Sequence, residues 1–250
     1  MQRKQQERQK EPQKKLKKRN MEQVRFTING ALSFAWARVK ERLSFFVGFA
    51  AIIAVIQIVN SYIQSVLEES GATFVVLFVY IIFSIIIGLV ISLWQIRVAL
   101  DTVDGKQPTY DSMQQSFPLM GRAFTAQIFY GLIVMIGFLL LIIPGFIWMI
   151  KYQYVLYYVV DKNMTVFEAL EESGKITKGE KWHLFIFGLA IGLVLLVGIL
   201  ALGVGILVAF PVVVVAQGYV YRQLQYSLGK SETVTPPTIE TPPKDTLKEA

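Results

Sequence analysis

Long stretches without a charged residue constrain this sequence more than any other feature. They cover residues 44–67, 72–96, 123–150 and 183–221, and only 17% of the chain is charged, against about a quarter in a soluble domain. A helix of about 20 apolar residues crosses the hydrocarbon layer of a bilayer, which is roughly 30 Å thick. The first two stretches therefore predict one crossing each. The composition predicts a polytopic integral membrane protein rather than a soluble fold.

The last two stretches are too long for one crossing, so each predicts a hairpin. The third continues past Lys151, and at about 1.5 Å per residue a single helix of this length would extend well beyond the bilayer. Pro144 and Gly145 are the predicted turn of that hairpin, because they interrupt helices. The final stretch is predicted to turn within 198–205 and to kink at Pro211. The sequence thus predicts six transmembrane helices.

Basic residues divide the predicted loops into two sides. The three predicted outer loops contain no Lys or Arg, whereas the inner loops and both terminal segments contain them. The positive-inside rule therefore predicts a multi-pass protein of the cell (inner) membrane with cytoplasmic N- and C-termini. The basic arm 1–23 is predicted to be disordered; it is either a topology signal or a contact for anionic head groups. The Thr/Pro-rich tail 229–250 is predicted to be extended and disordered.

An internal repeat organises the domain between these termini, residues 24–228. A shift of 57 residues without gaps aligns Asp104 with Asp161 and Ser116 with Ser173, and an earlier unit aligns more loosely. Each unit consists of a polar helical segment followed by a membrane hairpin. The predicted fold class is all-α, with three parallel hairpin repeats that are each preceded by an interfacial amphipathic helix. The inverted repeats of many transporters are not predicted.

The predicted interfacial helices carry basic and aromatic residues suited to a membrane surface. Residues 26–42 read as an amphipathic helix with Thr27 as its N-cap. In the last unit Thr165 and Glu168 fit a capping box, and a charged elbow follows at 178–181. The predicted lipid-interface residues are Arg38, Lys40, Arg42, Lys178, Lys181 and Trp182.

Lys151 is a charged residue within a predicted membrane span. A charge there costs about 2.5–3.5 kcal/mol on insertion scales, so its ammonium either reaches the outer head groups or pairs inside the bundle. We hypothesise a site for an anionic lipid phosphate or an anionic solute, formed by Lys151, Gln153 and Gln127. The polar neighbours considered for Lys151 are Gln57, Asn60, Gln64, Gln95, Gln127, Gln153 and Gln217.

The sharpest motif lies between residues 144 and 182. Its elements are Pro144, Gly145, Lys151, Asp161, Ala169, Leu170, Ser173, Lys178 and Gly179. This pattern resembles the membrane domain attached to some bacterial and archaeal glycerophosphodiester phosphodiesterases, and related uncharacterised six-span proteins. The resemblance covers most of residues 24–228 and implies a six-span membrane domain. The 250 residues leave no room for a hydrolase barrel, so it implies no phosphodiesterase activity.

No catalytic motif is recognisable, and the protein is predicted not to be an enzyme. The absence of cysteine and the single histidine argue against a metal centre, and no cofactor is predicted. The acidic residues Asp101, Asp104, Asp161 and Glu168 are better explained as solvated charges and helix caps than as a magnesium site.

Two functions remain open. The leading hypothesis is a non-enzymatic integral membrane protein that associates with anionic phospholipids of the lipid bilayer or organises partners at the cytoplasmic leaflet. The alternative is a small permease or transporter component with a polar path around Lys151. A membrane-protein partner or a homo-oligomer is compatible with the small residues Gly188 and Gly192. Nucleic acid is not expected as a partner, because no aromatic residues alternate with the basic ones in the arm.

Overall fold

The computed structural model describes residues 26–201 and 205–229. The predicted arm 1–23 and the tail after Gly229 lie outside the described residues. The described part of the chain is all-helical, which confirms the predicted class. The helices are α1 (Ile28–Glu41), α2 (Leu43–Glu69), α3 (Phe74–Val103), α4 (Tyr110–Gln114), α5 (Met120–Leu140), α6 (Ile142–Tyr152), α7 (Val155–Lys162), α8 (Val166–Ile176), α9 (Lys181–Leu200) and α10 (Ile206–Gly229), with a 3₁₀ turn at Phe117–Leu119 before α5.

Five helical stretches of the described chain are long and apolar enough to cross a membrane. They are Leu43–Glu69, Phe74–Val103, Tyr110–Leu140, Lys181–Leu200 and Ile206–Leu228. The remaining predicted span is divided between α6, with 11 residues, and α7, with 8 residues. Each piece is shorter than the roughly 20 residues that one crossing requires. The structure therefore contains five continuous candidates and one interrupted segment.

The turn between α5 and α6 is not where the sequence predicted it. Pro144 and Gly145 lie within α6, and the chain reverses at Leu141, whose backbone is extended with φ −166° and ψ 153°. The prediction was wrong because proline is tolerated in the first turn of a helix, where its missing N–H has no intrahelical partner. Gly145 instead allows close packing across the hairpin. A Cβ at Gly137 of α5 would lie 2.9 Å from the Cα of Gly145.

This close approach makes α5 intolerant of a side chain at Gly137. We expect Gly137→Val to lower the free energy of unfolding by about 1–3 kcal/mol, because the new side chain overpacks the hairpin. Titration with SDS in mixed micelles measures the loss. Gly131→Val is the matched control, since no atom lies within 4 Å of a Cβ placed at Gly131 in the same helix. Equal losses in both variants would show that the close packing does not matter.

Helix α1 begins as the sequence predicted but packs differently. The Thr27 hydroxyl accepts a hydrogen bond from the Gly30 N–H at 3.1 Å, which confirms the N-cap. Ala31, Ala35 and Val39 form the fully buried face. This face packs along α10, so α1 belongs to the bundle. The Trp36 side chain is half exposed beside the α9–α10 hairpin.

Buried side chains are concentrated at the end of the bundle where α1, α4 and α8 precede the hairpins. We call these three the elbow helices and this end the elbow end. In α2 the buried residues fall between Phe46 and Ile53, near its start, and in α3 between Leu89 and Val103, near its end. Helix α7 is buried over nearly its whole length. Toward the hairpin turns the apolar side chains are exposed, for example Phe74 and Leu139. The core thus surrounds the interrupted segment at the elbow end.

Candidate functional site

The interruption between α6 and α7 is stabilised by side chains from α8. The Lys151 carbonyl accepts hydrogen bonds from the Ser173 hydroxyl at 2.9 Å and the Thr177 hydroxyl at 3.1 Å. The Ser173 hydroxyl also accepts a hydrogen bond from the Tyr154 N–H at 3.3 Å. A break in a helix leaves backbone groups unpaired, and burying them without partners is costly. Ser173 of α8 and Thr177, the residue that caps the end of α8, supply those partners, so the break is part of the fold.

Helix α8 is fixed in this position by its cap and its buried face. The predicted capping box is confirmed, since the Glu168 carboxylate accepts hydrogen bonds from the Thr165 N–H at 2.9 Å and from the Thr165 hydroxyl at 2.8 Å. These hydrogen bonds hold the pKa of Glu168 below its ordinary value. Ala169 and Ile176 are fully buried. The helix therefore presents Ser173 to the break and its charged residues to the outside.

A concave site that we call the lysine pocket lies where α6, α8 and the start of α9 meet. Its volume is about 450 Å³. It is lined by Lys151, Tyr152, Leu170, Glu171, Gly174, Lys175, Lys178 and Lys181. The Lys151 side chain lies along α8 because Gly174 leaves room for it; a Cβ at Gly174 would lie 3.0 Å from the Lys151 Cε. The ammonium thus lies near the elbow and not near the turn at Leu141.

The lysine pocket has a net positive charge. Lys175 pairs with Glu171 at 2.8 Å and with Glu172 at 2.7 Å, and these hydrogen bonds raise its pKa. Within the described residues, the ammonium groups of Lys151, Lys178 and Lys181 form no ion pair. The Lys151 Nζ instead donates a hydrogen bond to the Tyr152 hydroxyl at 2.8 Å. Three ammonium groups without a carboxylate partner make the pocket suited to an anion.

The elbow geometry brings Lys178 and Lys181 to the pocket. Gly179 has φ +89°, a left-handed conformation that glycine adopts at low cost. The chain turns there, and α9 begins at Lys181. A Lys/Arg-Gly pair between two helices is the sequence signal for such a turn. It does not indicate that Lys151, which is distant in sequence, lines the same pocket.

A second concave site, the amide cavity, lies between α3, α5, α7 and α10. Its volume is about 240 Å³. Its polar lining residues are Ser92, Gln95, Gln127, Tyr130, Tyr152, Gln153, Tyr157 and Gln217. None of the described residues that line this cavity is charged. Four of the glutamines considered as neighbours of Lys151 meet here, on four different structural elements.

The structure divides the hypothesised ligand site into two. Gln127 and Gln153 line the amide cavity, whereas Lys151 lines the lysine pocket, and Tyr152 lines both. A direct polar path from Lys151 through the glutamines is therefore not what the geometry shows. Two further amides considered for Lys151 are engaged within the first hairpin. Asn60 accepts a hydrogen bond from the Ser84 hydroxyl at 3.1 Å, and Gln64 donates one to Glu68 at 2.9 Å.

The predicted lipid-interface residues occupy two separate places. Lys178 and Lys181 line the lysine pocket, and Trp182 follows them with its ring exposed and stacked on Phe185 at 5.4 Å. Arg38 belongs to α1, where it pairs with Glu41 at 3.1 Å. Lys40 is exposed near the end of α1, and Arg42 is the half-buried residue between α1 and α2. These three basic residues do not line the lysine pocket.

An ion-pair cluster around Arg222 was missed by the sequence analysis. Its guanidinium donates two hydrogen bonds to the Asp161 carboxylate, at 2.6 and 2.8 Å, and two to Asp104, at 2.8 and 2.7 Å. The Tyr221 hydroxyl donates a further hydrogen bond to Asp161 at 3.0 Å. Asp104 and Asp161 are the residues aligned by the 57-residue shift. They hold the arginine of α10 between the ends of α3 and α7.

The other predicted acidic residues take different roles. Asp101 lies 3.6 Å from Arg97, and Glu168 is a helix cap. In the part of the chain that the structure describes, no group of three or more His, Cys, Asp or Glu side chains is placed to hold a metal ion. The absence of a metal centre and of catalysis therefore remains a prediction.

Comparison of the chain with protein-family models, with curated proteins and with solved structures finds no match. The resemblance to the membrane domains of phosphodiesterases remains a prediction.

Proposed function

We propose that this protein is a non-enzymatic, multi-pass protein of the inner membrane that binds the phosphate of an anionic lipid in the lysine pocket. The observation that supports it is the meeting of Lys151 with Lys178 and Lys181 in one concave site, where none of them has a carboxylate partner among residues 26–201 and 205–229. Each basic residue near an anionic membrane surface contributes about 1 kcal/mol. The exposed indole of Trp182 beside the pocket suits the head-group region.

The topology we propose has six spans, with α6 and α7 together forming an interrupted fourth span. Ile142 to Lys162 comprises 21 residues, which at about 1.5 Å each gives roughly the 30 Å of the hydrocarbon layer. The three hairpins then start on the same side as parallel repeats. Their elbow helices and both termini lie at the cytoplasmic leaflet, where anionic lipids are available. The basic arm 1–23 would add a second, less specific attraction.

Removing charge from the lysine pocket tests this proposal. We expect Lys178→Gln/Lys181→Gln to lose about 2 kcal/mol of binding to phosphatidylglycerol, or roughly thirtyfold in Kd, at about 1 kcal/mol per lysine. Native mass spectrometry of the protein from nanodiscs with increasing fractions of this lipid measures the bound copies. Lys151→Met is expected to weaken binding as well, although it leaves the elbow intact.

The matched control removes the same charge elsewhere. Lys106→Gln/Lys162→Gln changes two exposed lysines that do not line the lysine pocket, and we expect its lipid binding to stay within about threefold of wild type. If both double variants lose the same amount of lipid affinity, binding reflects the overall basic charge of the protein and not a specific site in the lysine pocket. No anionic lipid retained by the wild-type protein would contradict the proposal altogether.

A second candidate, a small permease component, is favoured by one observation. A polar cavity without charged walls adjoins an interrupted helix, and interrupted helices frequently form substrate sites in transporters. For a permease of this kind, the polar path would pass along the glutamines of the amide cavity and not along Lys151. Uptake into proteoliposomes that depends on Gln127 would favour this candidate over lipid binding alone.

A further inference from the structure

The amide cavity combines features that require an occupant. The side chains of Gln95, Gln127 and Gln217 form no hydrogen bond within the described residues, although each is half-buried. A polar group that leaves water without a partner costs about 1–3 kcal/mol in proteins, and more in a lipid environment without water. Three such amides around one cavity are therefore expected to bind water or a polar ligand.

The lining of the cavity defines the chemistry of that ligand. The primary amides each offer donors and an acceptor, and the lining residues that the structure describes include no Lys, Arg, Asp or Glu. An ionised ligand would lack a compensating charge there, so the cavity favours an uncharged one. Tyr130 and Tyr152 also line the cavity, and their hydroxyls form hydrogen bonds with the Met149 carbonyl and the Lys151 ammonium. Hydroxyl groups match amides because they donate and accept hydrogen bonds at once.

The size of the cavity limits the ligand to a small molecule or group. At about 30 Å³ for each water in the liquid, its 240 Å³ equals roughly eight waters. This space accepts one sugar ring or a smaller polyol.

We propose that the amide cavity is a binding site for an uncharged, hydroxyl-rich group of sugar or polyol size. The group is either a free solute or the head group of a neutral glycolipid, since both offer the same hydroxyls. Gln127 and Gln217 hold it from opposite elements, α5 and α10, and Gln153 contributes from the helix break. The proposal is independent of anionic lipid at the lysine pocket and does not require transport.

Saturation-transfer NMR on the full chain in nanodiscs tests the site with glucose and glycerol as probes. We expect transfer to glucose in the wild-type protein and at least tenfold weaker apparent binding in Gln127→Met/Gln217→Met. Gln57→Met is the matched control, because Gln57 is an exposed glutamine of α2 outside the cavity; it should bind as wild type does. Glucose 6-phosphate should not compete, since the cavity lacks a cation.

Two further experiments distinguish a free solute from a glycolipid head group and control for misfolding of the double variant. Nanodiscs that contain monoglucosyl diacylglycerol should abolish the glucose signal if the natural ligand is a glycolipid head group, and should leave it unchanged if the ligand is a free solute. Gln153→Met changes an exposed side chain at the same cavity, so it should weaken binding even if the double variant fails to fold. The proposal is wrong if neither glucose, glycerol nor the glycolipid binds, or if the cavity variants bind as the wild type does.

Discussion

Arg222→Met should destabilise the protein by about 3–5 kcal/mol, because it leaves the largely buried Asp161 carboxylate and the partly exposed Asp104 carboxylate without their arginine partner. The Arg222 side chain is only 19% exposed and the Asp161 side chain 10%. Both carboxylates receive paired hydrogen bonds from the planar guanidinium, a geometry that lysine cannot reproduce. SDS titration in mixed micelles measures the loss of unfolding free energy, and Arg222→Lys should recover only part of it.

The controls for Arg222 separate this cluster from ordinary surface pairs. Arg38→Met breaks an exposed pair with Glu41, for which a loss of about 0–1 kcal/mol is expected. Adding Asp104→Asn and Asp161→Asn to Arg222→Met should restore part of the stability, since no buried charge is then unpaired. If Arg222→Met and Arg38→Met have equal effects, the cluster does not hold the helix ends together.

The second large effect is expected at the helix break. Ser173→Ala/Thr177→Val removes the hydroxyls that bond the Lys151 carbonyl and the Tyr154 N–H. Each buried group left without a partner costs about 1–3 kcal/mol, so the double variant should lose about 2–5 kcal/mol. Hydrogen exchange should accelerate selectively at the Tyr154 amide in the variant. A general loss of packing would not accelerate exchange at this amide alone.

The matched control for the break uses hydroxyls that bond helix carbonyls. The Ser65 hydroxyl donates to the Tyr62 carbonyl and the Thr125 hydroxyl to the Gly121 carbonyl, both at exposed positions. Ser65→Ala/Thr125→Val should therefore change stability by about 0.5 kcal/mol or less per site. An equally large loss in this control, or unchanged exchange at Tyr154, would refute the role given to α8.

Local patterns predicted the parts of the fold that depend on neighbouring residues. The caps at Thr27 and Thr165 follow from short-range hydrogen bonding, and the apolar stretches follow from hydropathy. The turn at Pro144 was misplaced because the same residue type suits both a break and a first helical turn. The division of the fourth predicted span was not visible either, since Gln153 and Tyr154 carry no helix-breaking signal.

The candidate sites are formed by contacts between residues that are far apart in the sequence, and local sequence patterns do not reveal such contacts. Lys151 was expected either to reach the outer head groups or to pair inside the bundle, and a site with Gln127 and Gln153 was hypothesised because all three are polar residues near apolar stretches. Instead, Gly174 leaves room for the Lys151 side chain to lie in the lysine pocket. The glutamines line the amide cavity, and Tyr152 lines both sites. Likewise Asp104 and Asp161 were recognised as repeat partners, but their shared arginine lies far along the chain in α10.

The concentration of buried residues at the elbow end gives the protein a different outline in each leaflet of a bilayer. At that end the helices contact one another and lipid touches only their rim. At the turn end, apolar side chains such as Phe74 and Leu139 are exposed, so we expect acyl chains to cover them in a bilayer. We expect lipid chain length and order to act mainly on the turn end, because the protein covers less of its own apolar surface there.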